Sequence, residues 1–114
     1  MRKDIFDLAK EVFDLASINK ELITSAESCT GGMLSSAITE IPGSSAIFEC
    51  GFVTYSNNSK VKLLSVNENT LNYHGAVSEE VAGEMAIGAL NNSQASLAIS
   101  ITGIAGPGGS IKKP

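Results

Sequence analysis

The sequence predicts an α/β domain, and three observations carry that reading. Residues 22–41 read as a short buried strand turning sharply into a helix: Leu22, Ile23 and Ala26 form an apolar run around β-branched Thr24. From Thr30 onward, Met33, Leu34, Ala37, Ile38 and Ile41 recur at helical spacing. An amphipathic segment precedes this pair, over residues 3–18, with Ile5, Leu8, Val12, Leu15 and Ala16 on one face and Asp4, Asp7, Lys10, Glu11 and Asp14 elsewhere. Further apolar, strand-like runs each end in a polar or glycine-rich turn, at residues 56–59 and 103–109. A helix that covers a sheet, and strands that feed loops on one edge, follow from this pattern.

Asn19 and Lys20 close the first helix. The second runs to about Glu40, where Pro42-Gly43 stops it because proline cannot donate the next helical hydrogen bond, and Ser44 and Ser45 form a loop. Residues 47–56 contain Phe48, Cys50, Phe52 and Tyr55 with Val53 and Thr54, a strand composition whose alternation is incomplete, so a strand covered on both faces is expected. Ser56-Asn57-Asn58-Ser59 favours a turn and an N-cap, with a short helix over residues 60–64. Residues 67–75 read as an irregular connection with at most one helical turn. Ser78 is an N-cap, with Glu79 and Glu80 set favourably against the helix dipole, and that helix reaches about Leu90. Its small residues, Ala82, Gly83, Ala86, Gly88 and Ala89, allow another element to pack close. Residues 97–102 are an apolar strand.

Composition excludes several classes of function. An apolar content of 43% with 18% charged residues is that of a globular protein rather than a disordered one. At 114 residues the chain is one domain at most. The net charge of −4, with no basic cluster larger than Lys112-Lys113, argues against a nucleic-acid partner held by phosphate neutralisation. No apolar run is long enough to span a bilayer and the N-terminus lacks a signal-peptide pattern, so a cytoplasmic protein without a membrane partner is expected. Cys29 and Cys50 lack metal-site spacing and His74 is the single histidine, so no metal, no cofactor and two free thiols are expected. Neither a Walker loop nor Gly-x-Gly-x-x-Gly occurs. The Asn57 and Asn91 triplets match a glycosylation acceptor that a cytosolic chain would not use.

The chemistry concentrates at the turn after the first strand. Ser28 and Cys29 are two possible nucleophiles. Thr30, Gly31 and Gly32 open the following helix, where backbone N–H groups lack intrahelical partners and the glycines admit close approach, so an anion site is expected there. In α/β sheets the loops after strand C-terminal ends line the ligand crevice, which brings this turn, the segment after Tyr55 and the glycine-rich loop after Thr102 together.

Four ordered blocks, Ala26-Glu27-Ser28-Cys29-Thr30-Gly31-Gly32, Gly51-Phe52-Val53-Thr54-Tyr55-Ser56-Asn57, His74-Gly75-Ala76-Val77-Ser78 and Thr102-Gly103-Ile104-Ala105-Gly106-Pro107, resemble the C-terminal domain of the competence-damage-inducible protein CinA. The resemblance covers nearly the whole chain. It implies a three-layer α/β/α sandwich with a central mixed sheet, commonly dimeric. It also implies an amidohydrolase that converts nicotinamide mononucleotide to nicotinic acid mononucleotide and ammonia, in pyridine-nucleotide salvage, with no metal. Carried over by position, it points to Ser28 as nucleophile with Tyr55 and Lys60 as polar and basic partners. Substrate would be held by Thr30, Gly31, Gly32, Thr102, Gly103, Ala105, Gly106 and Gly108. Amide hydrolysis needs a nucleophile, a group that takes its proton and donors aimed at the developing oxyanion. A lysine with an ordinary pKa near 10.4 is a poor base at neutral pH, so Lys60 requires desolvation or a cationic neighbour.

Cys29 is the rival nucleophile, since a thiol at a helix N-terminus can have its pKa lowered. His74 could pair with the serine but is more often structural in a loop. Family members continue past the Lys-Pro at Lys113-Pro114 into further strands, a closing helix and a substrate-holding arginine, so residues 1–114 are expected to form a domain incomplete at its C-terminus. The alternative function is a truncated, catalytically incompetent relative that only binds nucleotide or self-associates.

Overall fold

The structure, a computed structural model, describes residues 2–104. Helix α1 spans Lys3–Asn19, strand β1 Ile23–Glu27, helix α2 Met33–Thr39, strand β2 Phe48–Val53, helix α3 Asn57–Leu64, helix α4 Glu68–His74, helix α5 Glu79–Asn91 and strand β3 Leu97–Ile101. The strands form one sheet in the order β2-β1-β3, with β1 parallel to both neighbours. A mixed sheet requires an antiparallel strand; none lies among the described residues.

All five residues of β1 are buried, as expected of a central parallel strand with both faces covered. On one face Ile23 packs with Ala16 of α1, Ile38 of α2 and Ile47, and with Phe48 and Ile99 at the edges of the cluster. On the other, Ala26 packs with Leu64, Val66, Leu71, Val81, Met85 and Ala89, which belong to α3, α4, α5 and their connections. These two clusters are the two halves of a three-layer sandwich. Gly88 makes the second layer tight: a Cβ there would stand 2.0 Å from the Leu64 carbonyl oxygen.

The incomplete alternation of β2 has a different cause from the one expected. The register against β1 shifts between Ile23, opposite Phe48, and Thr24, opposite Cys50, so Glu49 is an extra residue in the ladder. A bulge of this kind reverses the phase of the side chains. Phe48 therefore joins the α1/α2 cluster while Phe52 joins the α5 cluster. Exposure alternates along the strand and none of its residues is fully buried, so its cover is thinner than that of β1. Residues 67–75 also differ from expectation: Asn67 accepts the Asn69 N–H at 2.7 Å and starts the helix α4, ended at Gly75 with φ of 79°. Helix α3 begins three residues earlier than predicted because Ser56 caps it, accepting the Ser59 N–H at 3.0 Å.

The chain leaves β1 into α2 on one face of the sheet and leaves the adjacent β2 into α3 on the other. Neighbouring strands whose connections part in opposite directions open a crevice at their C-terminal ends. Ser28 and residues 54–55 stand at that switch point.

Candidate active site

Ser28 follows the last residue of β1 and is held by the strands on both sides. Its N–H donates to the Ile101 carbonyl at 2.9 Å, and the Thr54 N–H donates to the Glu27 carbonyl at 2.8 Å. Alternation along β1 turns the Ser28 side chain toward α3, where Lys60 lies. Lys60 Nζ donates to Ser28 Oγ at 2.8 Å, to the Thr54 carbonyl at 2.8 Å and to the Tyr55 carbonyl at 3.2 Å. The amine is thus enclosed by the serine hydroxyl and two carbonyls of the first residues after β2, and Lys60 is only 1% exposed. Burial pushes its pKa below the usual lysine range, while the neighbouring Cys29 sulfur pulls it the other way. No carboxylate pairs with it among the described residues.

The geometry suits proton transfer. A neutral amine has two N–H bonds and one lone pair; the Thr54 and Tyr55 carbonyls can take the two hydrogens, which leaves the lone pair facing Ser28 Oγ. Ser28 is 7% exposed, shielded yet at the rim of the crevice. The backbone N–H groups of Cys29 and Thr30, directly after it, have no acceptor among the described residues and are the candidate oxyanion donors. Thr54 Oγ1, fully buried beside the pair, also has no partner among those residues.

Tyr55 reaches the pair through its main chain. Its side chain is 69% exposed, and no hydrogen bond joins its hydroxyl to Ser28 or Lys60. Cys29 is half-buried, and a Cβ on Gly103 would lie 3.2 Å from its sulfur, so the turn and the loop after β3 meet there. Thr102 Oγ1 donates to the Ala76 carbonyl at 2.8 Å, tying that loop to the entry of α5. His74 lies away from the pair, with Nδ1 3.6 Å from a Glu80 carboxylate oxygen. Ala105, Gly106 and Gly108 lie outside the described residues.

The helix N-terminus at residues 30–34 is not the vacant anion site that the sequence suggested. It already binds an anion, the carboxylate of Glu27. Oε1 accepts from Thr30 Oγ1 at 2.6 Å, the Gly32 N–H at 3.2 Å and the Leu34 N–H at 2.9 Å; Oε2 accepts from the Ser35 N–H at 2.9 Å and Ser35 Oγ at 2.8 Å. Gly31 and Gly32 adopt φ of 59° and 113°, left-handed values that fold the loop over this carboxylate, and they shorten the helix to a start at Met33. Burial alone would raise the Glu27 pKa, but the hydrogen bonds from Thr30, Ser35 and Leu34 outweigh it and hold it below the usual range. Sequence reasoning passed over Glu27. The signal was a single acid closing an otherwise uncharged buried strand just before Thr-Gly-Gly.

A parallel α/β sheet with a buried serine–lysine pair at the C-terminal ends of its strands defines the class of domain. The chain belongs to the CinA C-terminal domain family, matched over residues 5–114. It is 53% identical over 112 residues to the protein from Escherichia coli strain K12 named nicotinamide-nucleotide amidohydrolase PncC, covering 97% of this chain and 68% of that protein. A CinA-like protein of Chloroherpeton thalassium is 62% identical over 87 residues, covering 76% of this chain and 21% of that one. Among solved structures, the competence/damage inducible protein CihA from Agrobacterium tumefaciens superposes with a TM-score of 0.95 at 47% identity, covering all of this chain and 70% of that one. The CinA superfamily protein from Escherichia coli superposes with a TM-score of 0.93 at 37% identity, over 68% of its length. The expected family and its α/β architecture are thereby shown. Among the described residues no helix is long and apolar enough to cross a membrane.

Proposed function

We propose that this chain is an amidohydrolase of nicotinamide mononucleotide, producing nicotinic acid mononucleotide and ammonia, with Ser28 as nucleophile and Lys60 as general base. The observation that carries the mechanism is the 2.8 Å contact between Lys60 Nζ and Ser28 Oγ inside a fully buried environment. The substrate comes from the relatives named nicotinamide-nucleotide amidohydrolase.

Ser28 Oγ adds to the carboxamide carbon as its proton passes to neutral Lys60. The Cys29 and Thr30 N–H groups hold the oxyanion. Collapse breaks the C–N bond, and the Lys60 ammonium returns the proton to the departing nitrogen, releasing ammonia. Water then adds to the Ser28 ester with Lys60 again taking a proton; the acid leaves and Ser28 is restored. Tyr55 contributes its carbonyl to Lys60 and its exposed ring to the rim. Thr30, Gly31 and Gly32 shape the carbonyl-binding end of the site. Glu27 occupies the inner N–H groups, so the substrate phosphate falls to the loop of Thr102, Gly103, Ala105, Gly106 and Gly108. The protein acts in the cytoplasm on a soluble nucleotide, in pyridine-nucleotide salvage, and as a homodimer.

The test is ammonia release from nicotinamide mononucleotide by the wild type, Ser28→Ala and Cys29→Ala. The expected result is activity in the wild type, at least about 10³-fold loss in Ser28→Ala, and most activity kept in Cys29→Ala. The reverse pattern makes Cys29 the nucleophile. Binding of the mononucleotide by calorimetry without ammonia release supports instead a catalytically incompetent nucleotide-binding relative.

A further inference from the structure

We infer that Glu27 is a positioning residue for the nucleophile: its buried carboxylate serves as an internal template around which the turn carrying Ser28 and the Cys29 and Thr30 N–H groups is folded. The inference rests on the reading of Ser28 and Lys60 as the reacting pair.

Side-chain alternation along β1 places Glu27 on the face opposite Ser28, toward α2. Its carboxylate therefore has no route to the reacting atoms. It nevertheless gathers donors from residues 30, 32, 34 and 35, so that the whole passage from strand to helix hangs on one group. The turn between Ser28 and Gly32 has few other internal ties: the Gly31 N–H donates to the Ser28 carbonyl at 3.1 Å and the Met33 N–H to the Thr30 carbonyl at 3.1 Å. Both glycines must remain left-handed for the Gly32 and Leu34 N–H groups to face inward. The Cys29 and Thr30 N–H groups are the ones left over, and only the anchored shape leaves them free for an oxyanion. Glu27 is 0% exposed, so water cannot replace it as the acceptor. A glutamine has the same size but replaces one carboxylate oxygen with an N–H₂, which in either orientation faces a backbone N–H of Ser35 or of Gly32 and Leu34, donor against donor.

The experiment measures phosphonylation of Ser28 Oγ by a fluorophosphonate, with loss of fluoride, and reads kinact and KI separately together with Tm. Glu27→Gln is expected to lower kinact at least tenfold with KI within twofold. Ser35→Ala removes one donor to Oε2 from a helix on the face away from Lys60, and is expected to lower kinact three- to tenfold. Ser25→Ala removes only the 2.7 Å Ser25–Ser35 hydroxyl contact and is the control, expected within twofold of wild type. Lowered Tm with kinact unchanged in both Glu27→Gln and Ser35→Ala overturns the inference, since Glu27 would then only hold the fold together. If Glu27→Gln does not fold, Ser35→Ala against Ser25→Ala decides by the same criterion. A wild type in which the probe modifies Cys29, or nothing, overturns the Ser28 reading itself and the inference with it, a result distinct from an unchanged kinact in a labelled variant.

Discussion

Gly88→Ala is expected to unfold the domain more readily and loosen the active site, whereas Gly83→Ala, five residues away on the same helix, is expected to stabilise it. The methyl group added at position 88 would stand 2.0 Å from the Leu64 carbonyl oxygen and 2.8 Å from Leu64 Cα. Ordinary contact is about 3.4 Å or more, so α5 and the end of α3 must part by roughly an ångström or more, and backbone cannot rotate away as a side chain can. Overpacking of this kind costs about 1–3 kcal/mol and more where backbone blocks relaxation. The gain in helix propensity returns about 1 kcal/mol. At the upper end of that cost, where backbone is the obstacle, the net loss of about 2 kcal/mol corresponds to a fall in Tm of roughly 8–16 °C for a domain of this size. Gly83 is exposed and meets nothing within 4 Å, so its alanine keeps the propensity gain alone, a rise of about 4–8 °C. Because α3 carries Lys60, displacement of its end should also lower turnover in Gly88→Ala. Thermal unfolding followed by circular dichroism checks both variants. A Gly88→Ala protein as stable as wild type, or a destabilised Gly83→Ala, refutes the packing argument.

Four further outcomes follow from the site and the surface. Lys60 must be neutral to take the serine proton, so kcat/KM should rise with pH along a limb centred below the ordinary lysine value of about 10.4. The same depressed pKa means that the unfolded chain binds the extra proton in that window; stability therefore rises with pH by at most about 1.4 kcal/mol per unit there, and Lys60→Met should abolish the rise in pH-dependent urea titrations. Nicotinamide riboside, which lacks the phosphate, should bind at least about tenfold more weakly than the mononucleotide by calorimetry, since charge-assisted hydrogen bonds contribute about 1.5–3 kcal/mol each; equal affinity removes the phosphate-anchoring argument. The outer edge of β3 has no partner among the described residues, and Leu15 at 60% and Leu97 at 44% exposure flank an apolar groove of about 270 Å³ beside it. Light scattering across a dilution series should show self-association, and a monomer at every concentration counts against it.

Much of this fold was legible because its signals are local. The amphipathic period of α1, the Ser78 cap of α5 and the apolar run of β3 each depend on a few neighbouring residues, and all three elements lie within a residue or two of where they were expected. The bulge at Glu49 was not legible, since register is a property of two strands at once. Helix α4 was missed because residues 67–75 have little apolar periodicity; its stability comes from the Asn67 cap and from Leu71 buried in the core. At the site, Ser28 and Lys60 were named in advance, and the structure brings them together. The parts that were not read are main-chain groups, the Thr54 and Tyr55 carbonyls that hold Lys60, which carry no sequence signature. Glu27 was misread by omission: the rule that helix N-termini bind anions was sound, but the anion was already present in the chain.

A covalent route through Ser28 is open to trapping: the protein is mixed with nicotinamide mononucleotide, quenched in acid within the first turnovers, and any acyl group located by tandem mass spectrometry. An ester on Ser28 is expected in the wild type and in Cys29→Ala, formed more slowly in Lys60→Met. A thioester on Cys29, or ammonia released with Ser28 never modified, would contradict that route.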